Sequence, residues 1–268
     1  MLVGIFINTT KEESNKAANK FGAILRKNDI ESKVVNMKED CKDIDVIAVF
    51  GGDGTILRVV DYAIEYNVPI LAINTGNVGF LTCLENSELE KAVDILKSKN
   101  QIEKRSVMKV LVGNDKYYAL NEVLVQRNML SNSTNGVVEL SMEIAGSFVD
   151  KFYADGIIIA TPTGSTAYSL SAGGSILAPD LNAFIATPVC AHSLHNRPIV
   201  YSDSSPCVIK VGQNSKCALF IDGKLVKTLK STDKIEVLKS KNSVKFYKTN
   251  HNFFEKLLAK LNKWSETK

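Results

Sequence analysis

The sequence contains no C-x-x-C pair. Its five cysteines, Cys41, Cys83, Cys190, Cys207 and Cys217, are scattered and odd in number. Their spacing supports neither a zinc site nor a redox pair. No apolar run approaches the ~18 residues of a membrane-spanning helix. The opening Met1 to Asn8 lacks the basic start, apolar stretch and small-residue cleavage site of an export signal. A cytoplasmic protein with no membrane partner is expected. Charge of one sign is also missing. The 33 Lys and Arg stand against 29 Asp and Glu, a net +4, too little to indicate a nucleic-acid partner. No G-x-x-x-x-G-K-[ST] phosphate loop occurs. His192 and His195 lie three apart without a third ligand, so no protein-held metal is expected. Ser165 is not set in G-x-S-x-G and has no inferable His–Asp partners, so it is not read as a nucleophile.

What is present is a globular mixture, 45% apolar and 23% charged over 268 residues. At ~100–200 residues per domain this is one large domain or two modest ones. The first hundred residues alternate strand and helix patterns. Val3 to Ile7, Val46 to Phe50 and Pro69 to Ile73 read as buried strands. Ala17 to Leu25, Ile56 to Ile64 and Ser87 to Ser98 carry apolar residues at helical spacing. Such alternation argues for a parallel sheet covered by helices. After about Gln101 the pattern turns to strands. They include Val107 to Val112, Val123 to Val125, Val137 to Ile144, Ile157 to Ala160, Val208 to Val211, Ala218 to Ile221, Ile235 to Leu238 and Val244 to Tyr247. Gly146-Ser147 and Asp222-Gly223 read as turns, and Tyr168 to Gly173 as a short helix. In the tail, Phe253, Phe254, Leu257, Leu258, Leu261 and Trp264 form one stripe opposite a Lys-rich face. A helix docked on the core through that stripe is expected, with a membrane-surface helix as the alternative.

Gly51-Gly52-Asp53-Gly54-Thr55 joins a buried strand to a helix, the place where open α/β sheets bind ligands. Glycines allow close backbone approach to a phosphate, and a helix start offers free N–H groups. Asp53 within the loop could orient a hydroxyl, take its proton, or hold Mg²⁺ through water. The lesser alternative is a tight turn whose Asp caps the helix. Thr161 to Gly174 is rich in hydroxyls and small residues around one aromatic, Tyr168. That suits the base, ribose and amide of a nucleotide, although composition by itself favours an ordinary surface loop. Asn121-Glu122 could read an adenine's amine and ring nitrogen, or a ribose diol. Taken alone, the pair is ordinary for a strand edge.

The ordered set of motifs resembles the NAD kinase family, of the bacterial ATP- or polyphosphate-dependent type. It comprises Gly51 to Thr55, Asn74 to Thr82, Asn121-Glu122, Asp155 to Gly174, and His192 to Ile199. The first motif alone is shared with lipid kinases and phosphofructokinases. The Thr161 to Gly174 run is far more specific. The resemblance implies a Rossmann-like α/β domain, residues 1–100 with 252–268, carrying the glycine loop. It implies a mainly-β, sandwich-like NAD-binding domain over 101–251, and a C-terminal helix packing back on the first domain. The implied reaction moves the γ-phosphoryl of ATP, or of polyphosphate, onto the adenosine-ribose 2′-hydroxyl of NAD. Mg²⁺ would arrive mainly on ATP, and a homodimer or homotetramer is expected.

By the same resemblance Asp53 is the proton acceptor and touches NAD together with Gly54, Arg58 and Phe80. Gly51, Gly52, Gly54 and Thr55 receive the phosphates. Asn121, Glu122, Asp155, Thr163, Thr166, Ala167, Tyr168, Ser169, Leu170 and Ser171 bind the dinucleotide. The chain departs from the family pattern at Tyr153, where relatives have a basic residue, at Lys224 in place of Gln, and at His195 in place of Ser. Two rival readings accompany this one: a lipid kinase of the diacylglycerol or sphingosine type, and a dinucleotide-binding sensor without catalysis.

Overall fold

The computed structural model describes residues 1–76, 79–98, 102–128, 136–192, 197–248 and 252–266, with side chains in the last segment as far as Asn262. His195, the middle of the Asn74 to Gly79 loop, and the Trp264 side chain lie outside the described residues. The chain divides into two compact units, Met1–Arg105 with Ser243–Lys268, and Ser106–Asn242.

In the first unit four strands pair in parallel, in the order Ile70–Asn74, Val46–Phe50, Leu2–Ile7, Glu31–Val34. The first two are buried at all five positions, as parallel strands covered on both faces must be. Helix Glu12–Lys27 turns Ala17, Ala18, Phe21, Ile24 and Leu25 inward, and the Phe21 ring packs 5.4 Å from that of Phe50. The single helix expected after the glycine loop is two, Asp53–Ile56 and Val60–Glu65. Between them Arg58 and Val59 donate their N–H groups three residues back, to Thr55 and Ile56. Adjacent β-branched residues, Val59 and Val60, fit this tightened turn better than a regular helix.

The tail returns to this unit as helix Phe253–Glu266. Asn252 starts it. The Asn252 Oδ1 accepts the N–H groups of Phe254 and Glu255, and Glu255 Oε2 accepts that of Asn252, a reciprocal capping box. The helix docks through only part of its apolar stripe, half-buried Phe253 and Leu257, together with two lysines. Phe254, Leu258 and Leu261 are 63%, 60% and 42% exposed, whereas Lys256 is 7% exposed.

The second unit is a β-sandwich. One layer is an antiparallel six-stranded sheet, in the order Ile199–Ser202, Ala183–Val189, Gly156–Ala160, Glu122–Arg127, Cys217–Ile221, Lys224–Leu229. The other holds Ser147–Ala154, Val138–Ile144, Cys207–Val211 and the start of Lys234–Tyr247. Alternation divides each central strand. Ile157 and Ile159 join the core with Leu140, Met142, Ile209 and Val237. Ile158 and Ala160 face the opposite way, onto Leu177 and Ile185. The central strand Gly156–Ala160 is therefore buried throughout. It ends in Thr161, from which the hydroxyl-rich segment leaves.

Candidate active site

In the first unit the buried strand Val46–Phe50 runs out into Gly51 and Gly52, and Asp53 opens the next helix. Its carboxylate turns to the 79–81 segment. The Phe80 N–H donates to Oδ2 at 3.0 Å and the Leu81 N–H to Oδ1 at 3.1 Å. Helix capping therefore does not account for this residue. The side chain is 31% exposed, so lone pairs remain for an incoming hydroxyl. Gly54 and Arg58 are exposed beside it, with the Arg58 guanidinium 5.1 Å over the Phe6 ring. Thr55 is buried, and its hydroxyl accepts a 3.4 Å hydrogen bond from the Asn8 amide.

Two lysines one helical turn apart complete this cluster. Lys260 Nζ lies 3.4 Å from Asp53 Oδ2 and 3.9 Å above the Phe80 ring. Lys256 Nζ donates to the carbonyls of Thr82 at 2.6 Å and Phe80 at 3.4 Å. Burial pushes the Lys256 ammonium below the usual lysine range, and the charge of Asp53 pulls it partly back.

In the second unit Asn121 and Glu122 enter their strand over an unusual support. The Asp222 carboxylate accepts the N–H groups of Leu120, Asn121 and Glu122, at 2.9, 2.8 and 3.0 Å. Asp222 and Gly223, both at positive φ, form the tight turn between Cys217–Ile221 and Lys224–Leu229, and this turn aims the carboxylate. From the other side Thr161 donates its N–H to the Asn121 carbonyl and its hydroxyl to that of Leu120. A β-carbon on Gly164 would overlap the Asn121 carbonyl, so only glycine lets the hydroxyl-rich segment lie this close.

Glu122 is 6% exposed, and its Oε2 has no hydrogen-bond partner among the described residues. Burial, then the charge of Asp222, raises its carboxyl to about 7, against a bond from the Tyr168 N–H that lowers it. A buried acceptor left open in this way is costly unless a ligand meets it.

Helix Tyr168–Ser171 follows the turn Gly164–Thr166. Thr166, Ala167, Tyr168, Leu170 and Ser171 are half-buried or exposed around Glu122's strand end. Thr163 and Ser169 are buried, and the Ser169 hydroxyl pairs with Thr187 at 2.9 Å. Ser165 is also buried. Its hydroxyl donates to the Pro162 carbonyl and accepts the Leu177 N–H, which fits a structural role. Asp155 is not gathered with this group. Ala160 pairs with Glu122 and Gly156 with Gln126, so Asp155 stands at the far end of the strand. It lies ~17 Å from Glu122 at ~3.3 Å per residue, and Arg127 Nε holds it at 3.0 Å.

Lys256, Lys260 and Arg127 belong to no motif visible in the sequence, and Asp222 shows there only as part of a turn signal. Lys256 and Lys260 read there as part of the solvated face of an amphipathic helix, and their i, i+4 spacing is the only available signal. Asp222 reads as a turn residue, which it is, with its second role set by a pairing about a hundred residues distant.

The comparisons with known proteins agree with one another. The family described as ATP-NAD kinase N-terminal domain matches residues 6–100, and ATP-NAD kinase C-terminal domain matches 120–249. The NAD kinase of Caldicellulosiruptor bescii is 36% identical over 264 residues, covering 97% of this chain and 99% of its own. That of Fusobacterium nucleatum is 38% identical over 267 residues, covering 98% of each. Among solved structures, yeast NADH kinase complexed with NADH superposes with a TM-score of 0.85 at 25% identity, covering 98% of this chain and 87% of that one. An NAD kinase from Archaeoglobus fulgidus in complex with ATP gives 0.82 at 28% identity, covering 98% and 99%.

Proposed function

The chain belongs to the NAD kinase family and is a phosphotransferase acting on NAD, and from that premise we propose which of its residues carry the reaction. Asp53 accepts the proton of the adenosine-ribose 2′-hydroxyl as it attacks the γ-phosphorus of ATP. The observation supporting this is the carboxylate's attachment to the Phe80 and Leu81 N–H groups, which holds an acceptor in place beside the glycine loop. Phosphoryl transfer needs in-line positioning and charge neutralisation more than covalent help. A fixed carboxylate supplies the remaining need, a place for the proton.

Asn121 and Glu122 bind the adenosine end of the dinucleotide. The open Glu122 Oε2 supports this, as does the half-exposed rim from Thr166 to Ser171. Asp155 serves the nicotinamide half, and its separation from Glu122 suits an extended ligand. Gly51, Gly52, Gly54 and Thr55 face the phosphates. Mg²⁺ usually takes one or two carboxylates together with substrate phosphates. Asp53, half-exposed at the loop, suits that arrangement through water, and the metal would offset phosphate charge.

A homodimer or homotetramer in the cytoplasm completes the reading. The exposed Phe254, Leu258 and Leu261 support assembly, and the unpaired state of all five cysteines supports a reducing compartment. No described helix is long and apolar enough to cross a membrane. Neither the lipid-kinase nor the sensor reading gains support from the relatives.

The test is purified protein with NAD and MgATP, or with polyphosphate, read by NADP formation and accompanied by light scattering for the mass. NADP formation that is ATP-dependent, and NAD binding weakened roughly tenfold or more by Asn121→Ala, are expected. Unchanged NAD affinity in Asn121→Ala removes that residue from the site.

A further inference from the structure

The C-terminal helix buries lysines where a docking helix ordinarily buries apolar residues. Lys256 and Lys260 share the inward face with half-buried Phe253 and Leu257, while Phe254, Leu258 and Leu261 face away: Lys256 is 7% exposed, Phe254 and Leu258 about 60%. Burial of an ammonium is costly, and a well-packed apolar residue at such a position is often neutral or stabilising. Stability alone therefore does not explain Lys256.

What Lys256 touches does. Its Nζ binds the carbonyls of Phe80 and Thr82, the two residues flanking Leu81. The N–H groups of Phe80 and Leu81 are the ones that hold Asp53. One turn later Lys260 approaches the same carboxylate at 3.4 Å while lying over the Phe80 ring. Phe253 packs 5.9 Å from that ring. The helix thus grips the 80–82 segment on its carbonyl side, and the segment grips Asp53 on its N–H side.

We propose that Lys256 and Lys260 are positioning residues for phosphoryl transfer: Lys256 fixes the peptide planes that hold the Asp53 carboxylate, and Lys260 sets that carboxylate's orientation directly. The inference rests on the assignment of Asp53 as proton acceptor. Lys256 reaches the reacting atoms only through the 80–82 backbone, and its lowered ammonium range reflects the burial that this arrangement requires. Loss of either lysine lets the carboxylate swing while the NAD-binding residues of the second unit keep their own supports. Misplacement of a reacting group by ~1 Å costs on the order of 10² in rate.

The experiment compares full-length wild type with Lys256→Met, Lys260→Met, Lys260→Arg and Asp53→Asn. It measures kcat, the KM values for NAD and ATP, the dissociation constant for NAD, and Tm. Both Met variants should lose roughly 10- to 100-fold in kcat and keep NAD affinity within about threefold, with Tm unchanged or raised in Lys256→Met. Lys260→Arg should restore most of the kcat lost in Lys260→Met. Wild-type kcat in both Met variants overturns the proposal. So does a kcat loss matched by equal losses of NAD affinity and Tm, which marks a merely structural helix. If Lys256→Met does not fold, Lys260→Met, nearer the surface, decides by the same criteria. Near-normal kcat in Asp53→Asn defeats the base assignment itself. An inactive Asp53→Asn beside fully active lysine variants defeats only the positioning role.

Discussion

Asp53 occupies the space that a side chain at residue 79 would need: a β-carbon on Gly79 would stand closer than 3.0 Å to Asp53 Oδ1. The glycine is a steric condition for the carboxylate's placement. Gly79→Ala should therefore displace Asp53 from the Phe80 and Leu81 N–H groups and lower kcat by about 10² or more. NAD affinity should fall much less, since Asn121 and Glu122 are supported elsewhere. Steady-state kinetics with calorimetric NAD titration checks this, and unchanged kcat would show that the carboxylate tolerates displacement.

The Asp222 carboxylate holds three successive N–H groups at the start of the Glu122 strand. Asp222→Ala strands these donors, at ~1–3 kcal/mol for each that stays buried and unpaired. At ~2–4 °C per kcal/mol for a chain of this size, Tm should drop by at least several degrees. Asp222→Asn, which keeps one acceptor oxygen, should lose less. Equal Tm in wild type and Asp222→Ala would show that the three bonds are replaced by water.

Much of this architecture is legible in the residues. Val46 to Phe50 and Ile157 to Ala160 are apolar throughout because both faces are covered, and such runs declare themselves. Strands at sheet edges do not. Glu31–Val34, Ser147–Ala154 and Lys224–Leu229 lie at the ends of their sheets and are exposed at half or more of their positions, so no hydrophobic run marks them. The glycine loop and Asn121-Glu122 are visible as motifs. Their supports are not, because Lys256, Lys260 and Asp222 meet them from a hundred or more residues away. The tail's apolar stripe correctly marks a helix but only partly its inner face, since Phe253 and Leu257 turn inward and Phe254, Leu258 and Leu261 do not. Apolar residues at helical spacing define a face without saying which neighbour, core or partner, covers it.

Glu122 makes the protein pH-sensitive in a definite direction. Its carboxyl is raised from 4.5 to about 7 in the fold. Below 4.5 both folded and unfolded chains carry the proton, and the shift has no effect on stability. Between 4.5 and 7 the unfolded chain releases the proton that the folded chain keeps, so stability falls as pH rises; above 7 the loss is constant. Glu122→Gln should gain stability relative to wild type across that window, read as ΔTm against pH. A ΔTm that does not change with pH would contradict it. The proposed contact of Glu122 with NAD predicts the opposite trend for binding. An amine donor prefers the ionised carboxylate, so wild-type affinity should rise through pH ~7 and Glu122→Gln should flatten the profile. A profile with the same rise in Glu122→Gln would assign the titration to another group.

Transfer of the attacking hydroxyl's proton to Asp53 is read out by single-turnover NADP formation in Asp53→Asn at saturating NAD and MgATP. Asp53→Asn should lower that rate by ~10²–10⁴, with Tm within a few degrees of wild type and NAD still bound. A single-turnover rate within a few-fold of wild type would contradict it.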